Sequence, residues 1–317
     1  MHVQKAIKIT LVIPCYNVAD YVEECLDSAY SQDYSPLEII AIDNHSTDTT
    51  LSILKTYQAK KQPDLIVLSE SKKGAPATRN KGLQEASGDW IQFLDADDLL
   101  LPEKISHQAK ILQDMGDIGF IAAASRKRKL NGQEVLTTIP EREDFLNLFL
   151  GKLGNTCANL WNRKALLEIG GWNEDQKSSQ EADLMFRLLQ AQQKVLIDNE
   201  PYTLIRERPS GQISDGSLEG KIRFIDLRLQ MIDYLKVEQP TLFKQSYNQL
   251  YNKLYEVCLM ISSYDLPLGA HYYRLLPDDF RPKTFLKGRL YKKLLDLFGF
   301  ERVEQWRRSL SGKPSIK

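Results

Sequence analysis

Between residues 7 and 125, short apolar runs alternate with segments of helical periodicity, and this alternation constrains the fold more than any other feature. The order is typical of parallel α/β units, in which each strand leads into a helix that covers the sheet. The predicted strands are Ile7–Ile13, Leu37–Ile42, Leu65–Ser69, Asp89–Leu94 and Ile118–Ala124. The predicted helices are Ala19–Ser31, Thr49–Ala59, Ala75–Ala86 and Pro102–Met115, the last with Pro102 at its first position.

The remaining sequence has a different pattern. Within residues 140–210 it predicts helices at Arg163–Ile169 and Ser179–Gln192 and strands at Lys194–Asp198 and Tyr202–Arg206. From about Leu218 onward, Tyr, Leu and Ile recur at three- and four-residue spacings, which indicates helices. The Pro- and Gly-containing run at 209–216 predicts a boundary between a catalytic domain, 1–215, and a helical C-terminal region, 216–317.

Composition excludes several classes of protein. The 42 Lys and Arg residues equal the 42 Asp and Glu residues in number, so the chain lacks the basic surplus of a nucleic-acid-binding protein. Four scattered cysteines without a C-x-x-C pair argue against a zinc site and predict reduced thiols in a cytoplasmic protein. No apolar run approaches the roughly 20 residues that span a bilayer, and the apolar segment near the start predicts a buried strand rather than a signal peptide.

Polar sequences follow the predicted strands, where an open parallel sheet binds its ligands. They are Val12-Ile-Pro-Cys-Tyr-Asn17, Asp43-Asn-His-Ser-Thr-Asp48, Lys73-Gly-Ala-Pro-Ala-Thr-Arg-Asn80 and Asp95-Ala-Asp-Asp98. Most of these residues, taken singly, are also typical of turns, helix caps or solvated faces. The three carboxylates at 95–98 are less easily explained in this way, because they repel one another unless a cation compensates their charge. Hard oxygen ligands favour Mg²⁺ or Mn²⁺ shared with substrate phosphates.

Together these sequences resemble the motifs of the family-2 glycosyltransferases, which use nucleotide-sugar donors. The resemblance covers about residues 7–210 and implies the Rossmann-like GT-A fold, with a helical C-terminal extension. It implies that Asp97 binds Mn²⁺ or Mg²⁺ and that Asp43 contacts the nucleobase. The full set of donor-binding residues that it implies is Pro14, Tyr16, Asn17, Asp43, Arg79, Asp95, Ala96, Asp97 and Arg206. Asn44 and His45 depart from the usual Asp-Gly of the family.

A second group of residues resembles the family's acceptor side. Gln180-Glu-Ala-Asp-Leu is similar to the Glu-Asp-x-Asp-Leu motif, and aligning Asp183 places Glu181 at the catalytic base. The same two acidic residues, Glu181 and Asp183, would also be expected in the first turn of a helix without any catalytic role. The other implied acceptor-side residues are Trp161, Gly171 and Trp172, and Arg206, Arg208, Ser210 and Ser214 resemble a loop that closes on the diphosphate.

The expected function is that of an inverting, hexosyltransferase-type enzyme that moves a sugar, from UDP by family habit, to a hydroxyl of a glycan or lipid-linked acceptor. Cell-surface polysaccharide or glycolipid biosynthesis is the expected context. Two alternatives stay open at this point: a sugar-nucleotide nucleotidylyltransferase and a non-catalytic sugar-nucleotide-binding scaffold. The basic amphipathic segment 283–308 indicates either peripheral contact with the inner face of the membrane or a solvated face packed on the enzyme.

Overall fold

The computed structural model describes residues 6–62, 64–113, 118–209, 216–282 and 288–311. The chain separates into two compact units, Met1–Gln212 and Ile213–Lys317. Most of the predicted boundary run, residues 210–215, lies outside the described residues. The assignment of catalysis to 1–215 and of membrane or partner association to 216–317 stays a prediction.

The N-terminal unit contains two sheets. The larger one has seven strands in the order β10-β6-β9-β4-β1-β2-β3, and the smaller one has four in the order β5-β11-β7-β8. The strands are β1 (Ile9–Cys15), β2 (Leu37–Asp43), β3 (Ile66–Ser69), β4 (Trp90–Phe93), β5 (Leu99–Leu100), β6 (Phe120–Ala123), β7 (Ser125–Arg128), β8 (Glu134–Thr137), β9 (Leu160–Asn162), β10 (Val195–Asp198) and β11 (Thr203–Arg206).

Within the described residues, seven helices accompany these sheets, and four more form the C-terminal unit. The first seven are α1 (Val22–Tyr30), α2 (Thr50–Lys60), α3 (Ala75–Glu85), α4 (Lys104–Gln113), α5 (Asp144–Phe149), α6 (Arg163–Glu168) and α7 (Gln180–Gln190). The last four are α8 (Leu218–Glu238), α9 (Pro240–Tyr264), α10 (Leu266–Arg274) and α11 (Gly288–Ser311).

The predicted α/β class is confirmed, and each predicted strand and helix of residues 7–125 is present with shifted ends. One detail was wrong: Pro102 lies in a turn, and α4 begins two residues later at Lys104. Strand β11 was predicted at Tyr202–Arg206, but the other three strands of the smaller sheet, β9 and α5 were not predicted. Strand β9 has only three residues and runs antiparallel between β4 and β6, so it is too short to show a periodic pattern.

Close packing against the sheet fixes the position of α3. A Cβ atom at Gly82 would lie 2.2 Å from Val12 Cγ1 on β1 and 3.1 Å from Ile42 Cδ1 on β2. Only a glycine therefore permits this approach of the helix to the two central strands. The consequence for function is that the other side chains of α3 are held at a fixed height above the sheet.

The C-terminal unit is helical, as its spacing of Tyr, Leu and Ile predicts. Helices α9 and α10 approach so closely that a Cβ at Gly269 would meet the Ser262 side chain and backbone. Helix α11 is kinked at Gly299, whose φ is +74°. Within the described residues, no helix combines the length and the apolar character needed to cross a membrane.

Candidate active site

The carboxyl ends of three neighbouring parallel strands define the candidate site. Strand β1 pairs with β2 on one side, with Cys15 opposite Asp43, and with β4 on the other, with Val12 opposite Phe93. The polar sequences that follow these strands therefore meet at one edge of the sheet, as the strand-end argument predicts. We call this edge the donor rim.

Asn17 joins the first two loops of the donor rim. Its Oδ1 accepts from the Thr47 amide at 2.8 Å, and its own amide donates to Ser46 Oγ at 3.1 Å. Asn17 has a φ of +48°, a left-handed conformation that asparagine tolerates better than most residues. Beside it, Pro14 is half-buried and Tyr16 exposes 53% of its surface, so the Tyr16 ring offers a face to a ligand.

Asp43 is buried and has one unused acceptor. Its Oδ2 accepts weakly from the Ser46 amide at 3.3 Å, while Oδ1 has no hydrogen-bond partner among the described residues. A buried acceptor without a partner is costly. It fits a ligand that presents an N–H donor at this point of the rim.

Asn44 replaces an acidic residue of the resembling motif, and its amide explains the change. The Nδ2 group donates to the carbonyls of Glu70 and Lys72 at 2.9 and 2.8 Å, and Oδ1 accepts from the Gly74 amide at 2.8 Å. A carboxylate could not donate to those carbonyls. Asn44 therefore holds the segment between β3 and α3, a role that its position in a turn does not reveal.

Arg79 on α3 contacts three other segments of the N-terminal unit. Its guanidinium donates to Asp95 at 2.7 Å and to Gln180 Oε1 at 3.1 Å, and it lies 4.7 Å from the centre of the Trp172 ring. The side chain is 6% exposed. Nε has no hydrogen-bond partner within the described ranges. Arg79 thus connects the acidic loop after β4 to the first turn of α7.

The acidic loop crowds its charges together. Burial and the charge of Asp95 raise the pKa of Asp97. Burial, followed by the charges of Asp95 and Asp97, raises the pKa of Asp98 well above its ordinary value. Asp97 Oδ2 lies 3.3 Å from Arg208, while Asp98 accepts from the Arg206 amide at 2.8 Å. Burial and mutual repulsion thus disfavour the charged forms of Asp97 and Asp98, and a bound cation would offset both effects.

This donor set fits a hard divalent cation. Ligand atoms of Asp95, Asp98 and Cys157 lie within 4.8 Å of one another. Burial, followed by the charge of Asp95, raises the pKa of the Cys157 thiol well above its ordinary value, and a protonated thiol is a poor ligand. Cys157 instead accepts a hydrogen bond from the Asp95 amide at 3.2 Å. The carboxylates of Asp95 and Asp98 are the groups of this cluster that suit Mg²⁺ or Mn²⁺, whereas Asp97, the predicted metal ligand, is half-buried and is not part of the cluster.

The two acids of α7 have different surroundings. Asp183 pairs with Arg187 at 2.8 Å, and Arg187 also donates to the Ile169 carbonyl, so Asp183 fits a structural role. Glu181 is half-buried, and its carboxylate forms no hydrogen bond or ion pair with any other described residue. It is close enough to Arg79 to favour the charged form of that guanidinium. Gln180, which stands at an acidic position of the motif, accepts from Arg79.

The predicted acceptor-side aromatics lie in the interior. Trp161 is fully buried and stacks on Phe120 at 5.1 Å, so it supports the site from below and presents no surface to a ligand. Trp172 is 2% exposed and packs edge-on against Phe93 and under Arg79. Ala96, expected at the donor, is also buried in the core.

Asn80 belongs to the predicted polar sequence at 73–80, but that sequence does not predict its contacts. Its Oδ1 accepts from the Trp172 backbone amide at 2.8 Å, and its Nδ2 donates to the Trp172 carbonyl and to Glu174. A Cβ at Gly171, whose φ is +71°, would lie 2.5 Å from Asn80 Oδ1. Asn80 and Gly171 therefore fix the segment that carries Trp172.

Arg206, at the end of β11, reaches across to the acidic loop. Its Nε donates to the Asp97 carbonyl, and its terminal group contacts Glu24 of α1. Arg206 and Arg208 both lie over the Tyr21 ring, at 5.4 and 5.0 Å. Tyr21 and Glu24 were not predicted. The predicted closing-loop residues Ser210 and Ser214 lie outside the described residues.

Comparison with known proteins identifies the class to which this fold and site belong. The sequence profile described as Glycosyl transferase family 2 matches residues 10–170, which is just over half of the chain. The chain therefore belongs to glycosyltransferase family 2, and the predicted GT-A fold with C-terminal helices is confirmed. Family membership also removes the nucleotidylyltransferase alternative.

Individual relatives agree with this assignment. An uncharacterised glycosyltransferase of Haemophilus influenzae is 26% identical over 57% of this chain and 62% of its own length. TuaG of Bacillus subtilis, a glycosyltransferase named for teichuronic acid biosynthesis, is 33% identical over 33% of this chain and 42% of its own length. The chain therefore spans less than two thirds of either relative.

Two solved structures share the fold. S. aureus TarS 1-349 in complex with UDP-GlcNAc has a TM-score of 0.62 at 16% identity and covers 96% of this chain and 92% of that one. The mannosyltransferase PcManGT of Pyrobaculum calidifontis, in complex with GDP-Man and Mn²⁺, has a TM-score of 0.57 at 20% identity, with 97% and 85% covered.

Proposed function

We propose that this chain is an inverting glycosyltransferase, of hexosyltransferase type, that moves a sugar from a UDP-sugar to a hydroxyl of a glycan or lipid-linked acceptor. One observation carries the proposal. Arg79 joins Asp95 of the acidic loop to Gln180, the residue next to Glu181. One buried side chain thereby connects Asp95, which can help to bind a metal–diphosphate, to the residue beside Glu181, whose carboxylate can take a proton.

On the donor side, the unused Oδ1 of Asp43 would accept an N–H of the nucleobase, and Tyr16 would cover its face. Asp97 would ligate Mn²⁺ or Mg²⁺, with Asp95 beside it. The cation would supply compensation for the charge that develops on the diphosphate. Arg208, which now pairs with Asp97, is placed to meet the same phosphates. Donors bound in related structures, UDP-GlcNAc and GDP-Man with Mn²⁺, support this arrangement.

On the acceptor side, Glu181 would accept the proton of the attacking hydroxyl as its oxygen bonds to the anomeric carbon and the bond to the diphosphate breaks. Attack from the face opposite the leaving group inverts the configuration. Because Glu181 has no competing partner within the described residues, its carboxylate is available for this proton, whereas Asp183 is held by Arg187.

We further propose a role in cell-surface polysaccharide or glycolipid biosynthesis, which the name of TuaG supports. The enzyme would work in the cytoplasm and contact the inner face of the membrane through α11. Leu297, Phe298 and Trp306 are exposed on that helix, and Lys293 and Arg302 are exposed beside them. Such a combination suits an anionic interface.

Turnover of UDP-sugars with Mn²⁺ tests the catalytic proposal. Asp97→Asn is expected to remove the dependence on Mn²⁺ together with most activity. Glu181→Gln is expected to lower kcat by roughly 100-fold or more, because general base catalysis contributes about 10²–10⁴-fold. Donor binding, measured as thermal stabilisation, should survive in Glu181→Gln.

The matched control is Glu168→Gln, which changes an exposed glutamate on α6 and should leave kcat unchanged. A Glu181→Gln enzyme with the kcat of the wild type would refute the assignment of the base. Donor binding by the wild type without turnover of any UDP-sugar would favour the non-catalytic scaffold.

A further inference from the structure

A basic hairpin extends the smaller sheet beyond the donor rim. Strands β7 and β8 form it, and we call residues 125–137 the basic hairpin. Four consecutive cations, Arg126-Lys-Arg-Lys129, occupy its first strand and the residue after it, against one acid, Glu134. Every residue from 126 to 137 is exposed, including Leu130 and Leu136 at 62% and 56%. The chain as a whole has no net charge, so this segment is a local concentration of positive charge.

The register of the sheet places one face of the hairpin beside the donor rim. Strand β7 pairs with β11 in parallel, with Arg126 opposite Leu204 and Arg128 opposite Arg206. Paired residues on neighbouring strands point to the same face, about 4.8 Å apart. Arg206 is the residue whose side chain donates to the Asp97 carbonyl. Arg126 and Arg128 therefore lie on the same face of the smaller sheet as Arg206, and the Arg126 Nε donates to the Pro201 carbonyl at 3.2 Å.

The lysines point the other way. Side chains alternate along a strand, so Lys127, and Lys129 immediately after the strand, belong to the opposite face. Lys127 lies 3.9 Å from Glu207, and Arg128 lies 2.9 Å from Glu134. Both ion pairs are exposed, and exposed pairs are weak enough for a better anion to displace. The hairpin thus has an arginine face near the donor rim and a lysine face away from it.

We propose that the arginine face binds an anionic glycan, the acceptor whose chain carries carboxylate or phosphate groups. This inference rests on the proposed function. Guanidinium groups bind such anions bidentately, and an extended strand presents them at intervals along a line, as a linear polymer requires. A glycan bound along Arg126 and Arg128 would direct its end past Arg206 toward the bond that is broken at the donor.

A binding experiment on the full chain tests the proposal. The probe is fluorescently labelled oligogalacturonate, with uncharged dextran and phosphatidylglycerol vesicles as comparisons. Arg126→Ser/Arg128→Ser is expected to weaken oligogalacturonate binding by about tenfold or more, because two charge-assisted contacts are lost. The matched control, Lys127→Ser/Lys129→Ser, removes the same charge from the opposite face and is expected to change the affinity by less than about threefold. Binding of the wild type should also weaken as salt is added.

Three results would overturn the proposal: equal loss in both double variants, wild-type binding no tighter to oligogalacturonate than to dextran, or binding to vesicles but not to oligogalacturonate. Thermal stabilisation by UDP-sugar is measured in every variant and reports on folding and on the donor site. If the donor stabilises the wild type and is turned over, a failure to bind oligogalacturonate counts against the acceptor class alone. If the donor is neither bound nor turned over, the proposed function itself fails.

Discussion

Lys104 is a buried ammonium group beneath the donor rim. Its Nζ donates to Gln92 Oε1 at 2.6 Å and to Gln108 Oε1 at 2.5 Å, and the Gln108 amide donates in turn to Asp198 at 3.0 Å. Burial lowers the pKa of Lys104 to about 7, against the opposing effects of Asp198 and Cys157. Gln92 and Gln108 thus accept hydrogen bonds from an amino group whose charged form is destabilised by burial in the protein interior.

This lowered pKa makes stability depend on pH. Between pH of about 7 and the ordinary lysine pKa, the unfolded chain holds a proton that the folded chain has released. Raising the pH therefore favours folding, by up to about 1.4 kcal/mol per pH unit. We expect Lys104→Met to lose this slope in urea unfolding between pH 7 and 8.5, whereas Lys164→Met, at an exposed position, keeps it. Equal slopes in the wild type and Lys104→Met would contradict the prediction.

At this scale the sequence predicted which residues gather at the rim better than it predicted their partners. The predicted residues lie there because the ends of neighbouring strands converge, and each strand can be recognised from its own short sequence. They are Asn17, Asp43, Arg79 and Asp97. The bond from Arg79 to Gln180 joins residues 101 positions apart, so no local pattern contains it. Trp161 is a second example. The sequence of a motif does not show whether its aromatic residue contacts a ligand or packs beneath the site.

Among the secondary-structure elements, α3 allows a test of whether close packing against the sheet positions the side chains of the candidate site. Gly82→Ala would push a methyl group into Val12 and Ile42, and a stiff β-branched side chain cannot move aside cheaply. We expect a loss of roughly 1–3 kcal/mol in the free energy of unfolding, as for other overpacked cores. The added methyl group would displace α3 and Arg79 with it, so the KM for the donor should also rise.

Lys81→Ala serves as the control, because that residue lies next to Gly82 on the exposed side of α3. Its free energy of unfolding should stay within about 0.5 kcal/mol of the wild type. If Gly82→Ala unfolded like the wild type and kept its KM, close packing of α3 would not position Arg79.

Several of the elements that the sequence did not predict lack a hydrophobic period. Strand β7 reads Ser-Arg-Lys-Arg and β8 has all four residues exposed, so neither has a buried face to reveal it. Strand β5 has two residues. Strands β5 and β7 pair with β11, which is distant in the sequence, and β8 pairs with β7. The longer apolar runs of β1 and β2 were predictable because both strands lie in the core.

For the whole molecule, the membrane proposal can be tested on the intact chain. Phe298 and Trp306 pack edge-on at 4.9 Å and are 40% and 43% exposed. We expect the wild type to float with phosphatidylglycerol vesicles and Phe298→Ser/Trp306→Ser to remain in solution. Exposed apolar residues elsewhere in the C-terminal unit, Val237 and Leu275, provide the control double variant, which should float. A wild type that stays in solution would refute membrane contact through α11.

Three asparagines tie the donor rim together, each from one segment to the next: Asn17 to the loop after β2, Asn44 to the segment before α3, and Asn80 to the backbone at Trp172. The loops of this rim are therefore not interchangeable parts. An engineer who wished to alter donor preference by grafting one loop from a relative would break a bond in its neighbour. The transferable unit is a loop together with its asparagine and the segment that the asparagine holds.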